Sequence, residues 1–149
     1  MKQVGSLVEG QQTILVSHDA TVADAARRMA ERHIGAVPVV DGERVVGIFT
    51  ERDVMTRVVA AGHDAARTLV RDVMSTDLVV AAPTDSYEEC LRRMQRAAIR
   101  HLLVLREGRL AGIVSLRDLL NVDVGEKEEA ILLLNAYVHD IPVVLRAGR

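Results

Sequence analysis

The sequence predicts an α/β protein made of two pseudo-symmetric units, each with the order strand, helix, strand, strand, helix. The first observation is an internal repeat, because residues 13–55 align without a gap with residues 78–120 at a constant offset of 65. The second is a motif that occurs in both copies, GIFTERD at 47–53 and GIVSLRD at 112–118. Either unit alone would bury little apolar surface, so we expect the two to pack face to face.

The elements of each repeat follow from its residue pattern. A hydroxyl residue followed three positions later by an acid predicts a helix start at Thr21 and at Ser86. A turn with glycine joins the second and third strands, and Gly62 is a plausible C-cap for the helix after the first motif. The expected strands are 14–16, 36–40 and 44–49 in the first repeat, and 78–80, 102–105 and 109–114 in the second.

The repeat also predicts the domain organisation. We expect a first domain over residues 4–62, a second over 70–122, and a C-terminal helix and tail over 123–149. Acidic residues at 126–129 would open the extra helix favourably, and apolar residues continue it to about Val138. An exposed apolar helix is costly, so it is expected to cover a subunit contact or the edge of the protein.

Composition excludes several classes of function. A net charge of −2 and an aromatic content of 2% argue against a nucleic-acid partner. The single cysteine, Cys90, supports neither a disulfide framework nor a cysteine metal site. No apolar run approaches the ~20 residues of a membrane span, and no signal peptide is recognised, so a cytoplasmic protein is expected. The sequence shows no catalytic constellation, so an enzyme is not predicted.

The repeated motifs resemble a tandem pair of CBS (cystathionine beta-synthase) domains, also called a Bateman module. GIFTERD, GIVSLRD, IGAVPVVDGERVVGI, IRHLLVLREGRLAGI and VRDVMSTDLVV carry this resemblance, which covers roughly residues 4–122. Members of that family commonly bind adenine nucleotides or S-adenosylmethionine in clefts between paired domains and act as regulatory sensors. The resemblance therefore implies a non-enzymatic module with AMP, ADP, ATP or S-adenosylmethionine as regulatory ligand, and no required cofactor.

The two motifs have chemistry that suits such a ligand. A helix N-terminus attracts a phosphate, and Thr50 or Ser115 adds a hydroxyl there. Asp53 or Asp118, one turn later, can accept hydrogen bonds from the paired hydroxyls of a ribose, as in dinucleotide-binding folds. The same spacing is also that of a capping box, which needs no ligand. A ligand-free scaffold for dimerisation or partner docking is therefore the alternative.

The resemblance implies two unequal clefts. Thr50 and Asp53 would be completed by Arg100, with Val79 in backbone contact with the adenine. Ser115 and Asp118 would be completed by Ile14 and Gly35, with His101 close to both. Arg52 and Arg117 would either reach phosphate or lie on a solvated helix face. Because arginine offers a charged, forked donor set, the first cleft is expected to bind the more phosphorylated ligand more tightly. The affinity of the second cleft should rise below about pH 6.5 if His101 is protonated.

A homodimer is the expected assembly. Apolar helical residues around Val54, Val58 and Val59, with Leu119, Leu120 and the tail, would form the contact between two copies. An effector protein that responds to the ligand is also expected, although the sequence does not indicate its nature.

Overall fold

The computed structural model describes residues 2–121 and 134–135. Its elements in chain order are α1 (Gly5–Val8), β1 (Val16–Ser17), α2 (Val22–Arg32), β2 (Ala36–Asp41), β3 (Arg44–Thr50), α3 (Glu51–Asp53, continued by a π-helical segment, Val54–Val59), α4 (Val70–Val73), β4 (Val80–Ala81), α5 (Tyr87–Ala97), β5 (His101–Arg106), β6 (Arg109–Ser115) and α6 (Leu116–Leu120).

The strands form two three-stranded sheets, ordered β1-β2-β3 and β4-β5-β6. In each sheet the first strand pairs in parallel with the second, and the second pairs antiparallel with the third. Both hairpins shift register at the equivalent place, after Val39 and after Val104. The predicted α/β class and the doubled β-α-β-β-α order are confirmed, and the offset of 65 relates most element boundaries.

The first strand of each repeat is shorter than predicted and begins later. Instead of 14–16 and 78–80, the strands are Val16–Ser17 and Val80–Ala81. Arginine side chains provide the reason, since Arg28 donates to the carbonyl of Leu15 at 2.8 Å and Arg93 donates to that of Val80 at 2.9 Å. These guanidinium groups occupy backbone carbonyls at the start of each strand.

The short leading helices, α1 and α4, each pack on the other repeat. In α1, the amides of Val4 and Gly5 donate to the carbonyls of Asp85 and Pro83, both at 2.9 Å. In α4, the amide of Val70 donates to the carbonyl of Ala20 at 2.8 Å. The buried cluster of the second repeat accordingly contains Val4 and Val8, and that of the first repeat contains Val70 and Val73. The two hydrophobic cores therefore exchange their leading helices. The domains expected from the sequence, 4–62 and 70–122, instead assign each leading helix to its own repeat.

The helix after the first motif differs from the expected apolar contact surface. Val58 is buried in the first core and Leu119 in the second, so neither lies on a surface. The segment is π-helical, with the amide of Ala60 bonded to the carbonyl of Met55. This winding turns Val58 inward and leaves Met55 and Val59 exposed, at 60% and 70%.

The C-terminal region falls mostly outside the described residues. The predicted helix at 126–138 lies there, except for Leu134 and Asn135, which are helical. Within the part of the chain that the structure describes, no helix has the length and apolar character needed to cross a bilayer.

Candidate functional site

Both strand-to-helix motifs form a complete capping box. At the first, the amide of Asp53 donates to Thr50 Oγ1 at 3.1 Å, and the amide of Thr50 donates to Asp53 Oδ2 at 3.0 Å. At the second, the amide of Asp118 donates to Ser115 Oγ at 3.1 Å, and the amide of Ser115 donates to Asp118 Oδ2 at 2.8 Å. Each Asp therefore stabilises the start of its helix. The two carboxylates differ in their other partners.

Asp53 is enclosed by protein groups. It is 4% exposed. The hydroxyl of Ser75 lies 3.0 Å from Oδ1 and 3.2 Å from Oδ2, so its proton is shared between the two oxygens. Arg57 Nε lies 3.7 Å from Oδ1 and balances the charge. Both oxygens of this buried carboxylate consequently have partners without any ligand.

Asp118 has a more open environment. It is only half-buried, and within residues 2–121 no group donates a hydrogen bond to its second oxygen, Oδ1. The position equivalent to Ser75 is Gly10, which has no hydroxyl. The second motif therefore presents a carboxylate oxygen that is free to accept a hydrogen bond from a ligand.

A cleft of about 1140 Å³ lies between the repeats in front of Asp118. We refer to it as the Asp118 cleft. Of the residues predicted from the sequence, it is lined by Ile14, Gly35, Arg100, His101, Ser115, Arg117 and Asp118. Thr50, Arg52, Asp53 and Val79 are not part of this lining. The structure thus brings together the group expected around Ser115 and Asp118, together with Arg100.

Two arginines differ from the arrangement expected of them. Arg100 is expected beside Thr50 and Asp53, but it lines the Asp118 cleft. Its carbonyl accepts the amide of Leu116 at 2.8 Å, and this bond holds Arg100 beside α6. Arg52 was expected at a phosphate, but its guanidinium donates to the carbonyl of Ala98, the C-cap of α5, at 3.0 Å. Arg52 therefore links α3 to the second repeat.

Sequence reasoning missed several residues that line the cleft: Gln12, Thr13, Arg32, His33, Glu51 and Asn121. Glu51 directly follows the first motif, and its amide donates to the carbonyl of Gly35 at 2.9 Å. Its carboxylate occupies the space beside Gly35, where an added Cβ would lie 3.2 Å from it. Glu51 belongs to the first repeat and lies beside the Asp118 cleft because of the way the two repeats pack. No local sequence pattern indicates that packing.

The charges in the cleft are mixed. Arg32, Arg100 and Arg117 are exposed, and none of their guanidinium groups makes an ion pair or hydrogen bond within residues 2–121. Glu51 and Asp118 supply negative charge on the same surface. A ligand that has both hydroxyl donors and a phosphate would therefore find an acceptor and several cationic partners here.

Burial lowers the pKa of His101 from its usual value, and Arg100 acts in the same direction. The carboxylates of Glu51 and Asp118 oppose this shift by favouring the imidazolium. The net effect on the pKa of His101 is a decrease, so the folded protein favours the neutral imidazole more than the unfolded chain does. Because the unfolded chain holds this proton more tightly, acidification through the usual histidine range also lowers the stability of the unliganded fold.

The state of His101 leads to a prediction on pH. An anionic ligand beside the imidazole favours its charged form, so binding should take up a proton and AMP affinity should rise as pH falls below about 6.5. Calorimetry in two buffers with different ionisation enthalpies measures this uptake. His101→Gln should remove it, and equal proton uptake in that variant would contradict the assignment.

Paired β-α-β-β-α repeats, with a cleft at the second of their two strand-to-helix motifs, define a tandem-repeat module of the CBS type. The CBS domain family matches residues 11–60 and 70–125, and the chain belongs to that family. It is 39% identical to the CBS domain-containing protein YhcV of Bacillus subtilis over 108 residues, which are 72% of this chain and 76% of that protein.

Solved structures show the same fold. A CBS-domain protein from Burkholderia ambifaria MC40-6 superposes with a TM-score of 0.79 at 32% identity, and the match covers 85% of this chain and 96% of that one. The CBS domain protein PAE2072 from Pyrobaculum aerophilum, in complex with AMP, superposes with a TM-score of 0.75 at 22% identity, over 87% of this chain and 98% of that one. At 22% identity, this second likeness shows the fold alone.

Proposed function

We propose that this CBS pair is a sensor that binds an adenosine-containing ligand in the Asp118 cleft. The observation that carries the proposal is Asp118 Oδ1, which accepts no hydrogen bond from residues 2–121, in a cleft that also contains the hydroxyl of Ser115 and the guanidinium groups of Arg100 and Arg117, which are unpaired within the same residues. The carboxylate would accept hydrogen bonds from ribose, and the arginines would bind phosphate. AMP, ADP and ATP fit this description, and S-adenosylmethionine fits it with its carboxylate in the place of phosphate.

The AMP complex of the Pyrobaculum aerophilum protein supports this class of ligand, since that protein has the same fold. Regulation would follow from a difference in ligand affinity between two arrangements of the repeats, because only such a difference can transmit a signal. Ile14 and Gly35 come from the first repeat and Ser115 and Asp118 from the second, so one ligand would contact both. We also propose an effector protein that binds one arrangement of the repeats in preference to the other, and a cytoplasmic location.

Titration calorimetry with AMP, ADP, ATP and S-adenosylmethionine tests the proposal. We expect saturable binding of at least one of the four, together with a rise in melting temperature. If none of them gives heat or a thermal shift at millimolar concentration, the ligand-free scaffold becomes the better account of the fold.

Arg100→Ala is expected to weaken binding of AMP selectively. Loss of one charge-assisted hydrogen bond to phosphate costs about 1.5–3 kcal/mol, which is roughly a ten- to hundredfold loss of affinity. Adenosine, which has no phosphate, should bind the variant and the unaltered protein equally. Arg96→Ala is the matched control, because Arg96 is exposed in the last turn of α5 and does not line the cleft. Equal losses for adenosine and AMP would place Arg100 elsewhere in the site.

We further infer a homodimer through the exposed residues of the π-helical segment. Met55 and Val59 are separated by four positions, so their side chains lie on one face as neighbouring exposed apolar groups. Met55→Glu combined with Val59→Glu should convert a dimer into a monomer with little change in stability, as measured by light scattering at micromolar concentration. A monomer in the unaltered protein would contradict this assembly.

A further inference from the structure

The two motifs have the same capping geometry, but the segments that lie beside them differ. At the first, Ser75 pairs its backbone with β3: its amide donates to the carbonyl of Ile48 at 2.9 Å, and the amide of Ile48 donates back at 2.9 Å. This pairing fixes the position of Ser75 next to Asp53. The Ser75 hydroxyl is thereby held 3.0 and 3.2 Å from the two carboxylate oxygens.

A second contact holds the same segment in place. Arg57 donates to the carbonyl of Met74 at 2.9 Å while its Nε lies 3.7 Å from Asp53 Oδ1. Arg57 thus joins the residue before Ser75 to the carboxylate that Ser75 bonds. The hydroxyl, the carboxylate and the guanidinium form one connected polar group around a side chain that is 4% exposed.

At the second motif a side chain replaces this backbone pairing. Gln11 Nε2 donates to the carbonyl of Ile113 at 3.0 Å, and Gln11 Oε1 accepts the amide of Ile113 at 2.9 Å. Ile113 is the equivalent of Ile48, so the amide of Gln11 makes the two bonds that the backbone of Ser75 makes in the first repeat. The chain next to Asp118 therefore brings no hydroxyl to it, and among the described residues 2–121 no group donates to Oδ1.

We propose that this chain binds one adenosine ligand, at Asp118, and that Ser75 closes the first motif by taking the place of a ligand hydroxyl. The inference rests on the proposed function for its ligand class. A serine hydroxyl and a ribose hydroxyl are the same donor, and at 3.0–3.2 Å from both oxygens Ser75 satisfies the carboxylate that a ribose would need. Asp53 then has a structural role, and Ser75 determines the number of sites.

Calorimetry with AMP tests the inference through stoichiometry. The unaltered protein should bind one AMP per chain, and Ser75→Ala should bind two, because it frees Asp53 and keeps the backbone pairing with Ile48. Thr76→Ala is the matched control, since it removes an exposed hydroxyl from the next residue and should keep one site. Ser75→Gly, which introduces the residue found at position 10, provides a second variant with the same expected gain.

The possible failures are distinguishable. Two sites in the unaltered protein, or a single site in both Ser75 variants, would overturn the role of Ser75 and leave the Asp118 site intact. Absence of binding of AMP, ADP, ATP and S-adenosylmethionine alike to the unaltered protein and to both variants would overturn the proposed function itself. Asp53→Asn gives a further reading: it should lower the melting temperature but keep AMP affinity within about threefold, and loss of AMP binding in that variant would overturn the inference.

Discussion

Replacing Asp118 by alanine is expected to lower the affinity for an adenosine ligand by more than about a hundredfold. The carboxylate would accept hydrogen bonds from two ribose hydroxyls, and a hydrogen bond to a charged group contributes about 1.5–3 kcal/mol. Two such bonds amount to at least about 3 kcal/mol, or roughly two decades in the dissociation constant. Calorimetry with the tightest-binding of the four candidate ligands measures the change.

The matched control for this experiment is Asp53→Ala. Both variants remove the acid of a capping box, which costs about 0.5–2 kcal/mol of stability, so a general effect on the fold would appear in both. Asp53→Ala should be the less stable of the two, because it also deprives Ser75 and Arg57 of their partner. If Asp53→Ala abolishes tight binding and Asp118→Ala does not, the ligand site lies at the first motif.

The fold was predictable because its determinants are local and occur twice. The GIFTERD and GIVSLRD motifs place a hydroxyl at the N-cap and an acid three residues later, and both form the capping box that this spacing predicts. The helix starts at Thr21 and Ser86 follow the same logic. Hairpin and crossover connections then leave few ways to join the strands of each repeat.

The difference between the two Asp residues was not predictable, since it depends on residues distant in sequence. Ser75 belongs to the leading segment of the second repeat, yet it bonds Asp53 of the first, and Gln11 of the first repeat bonds Ile113 of the second. Ser75 lies in VRDVMSTDLVV and Gln11 in none of the repeated motifs, and the contact partner of each follows only from the exchange of the leading helices. The expectation that the first cleft binds ligand more tightly depends on Arg100 alone. It does not include the contacts of Ser75 and Gln11.

The exchange of leading helices leads to the second large prediction, on stability. Val4 and Val8 are 0% and 3% exposed in the core of the second repeat. Burial of a valine side chain contributes about 1.5–3 kcal/mol. Deletion of residues 2–10 should therefore destabilise the second repeat by about 3–6 kcal/mol, a large share of the stability of a small domain. Chemical denaturation measures the total effect.

Hydrogen exchange should show where this effect occurs. Val8→Ala should increase exchange in β5 and β6, which belong to the second repeat, more than in β2 and β3. Val73→Ala should show the opposite pattern, because Val73 is buried in the core around Phe49. Glu9→Ala, an exposed change next to Val8, should leave both sheets protected. If Val8→Ala instead loosens β2 and β3, α1 belongs to the core of its own repeat, and the exchange of leading helices does not exist in solution.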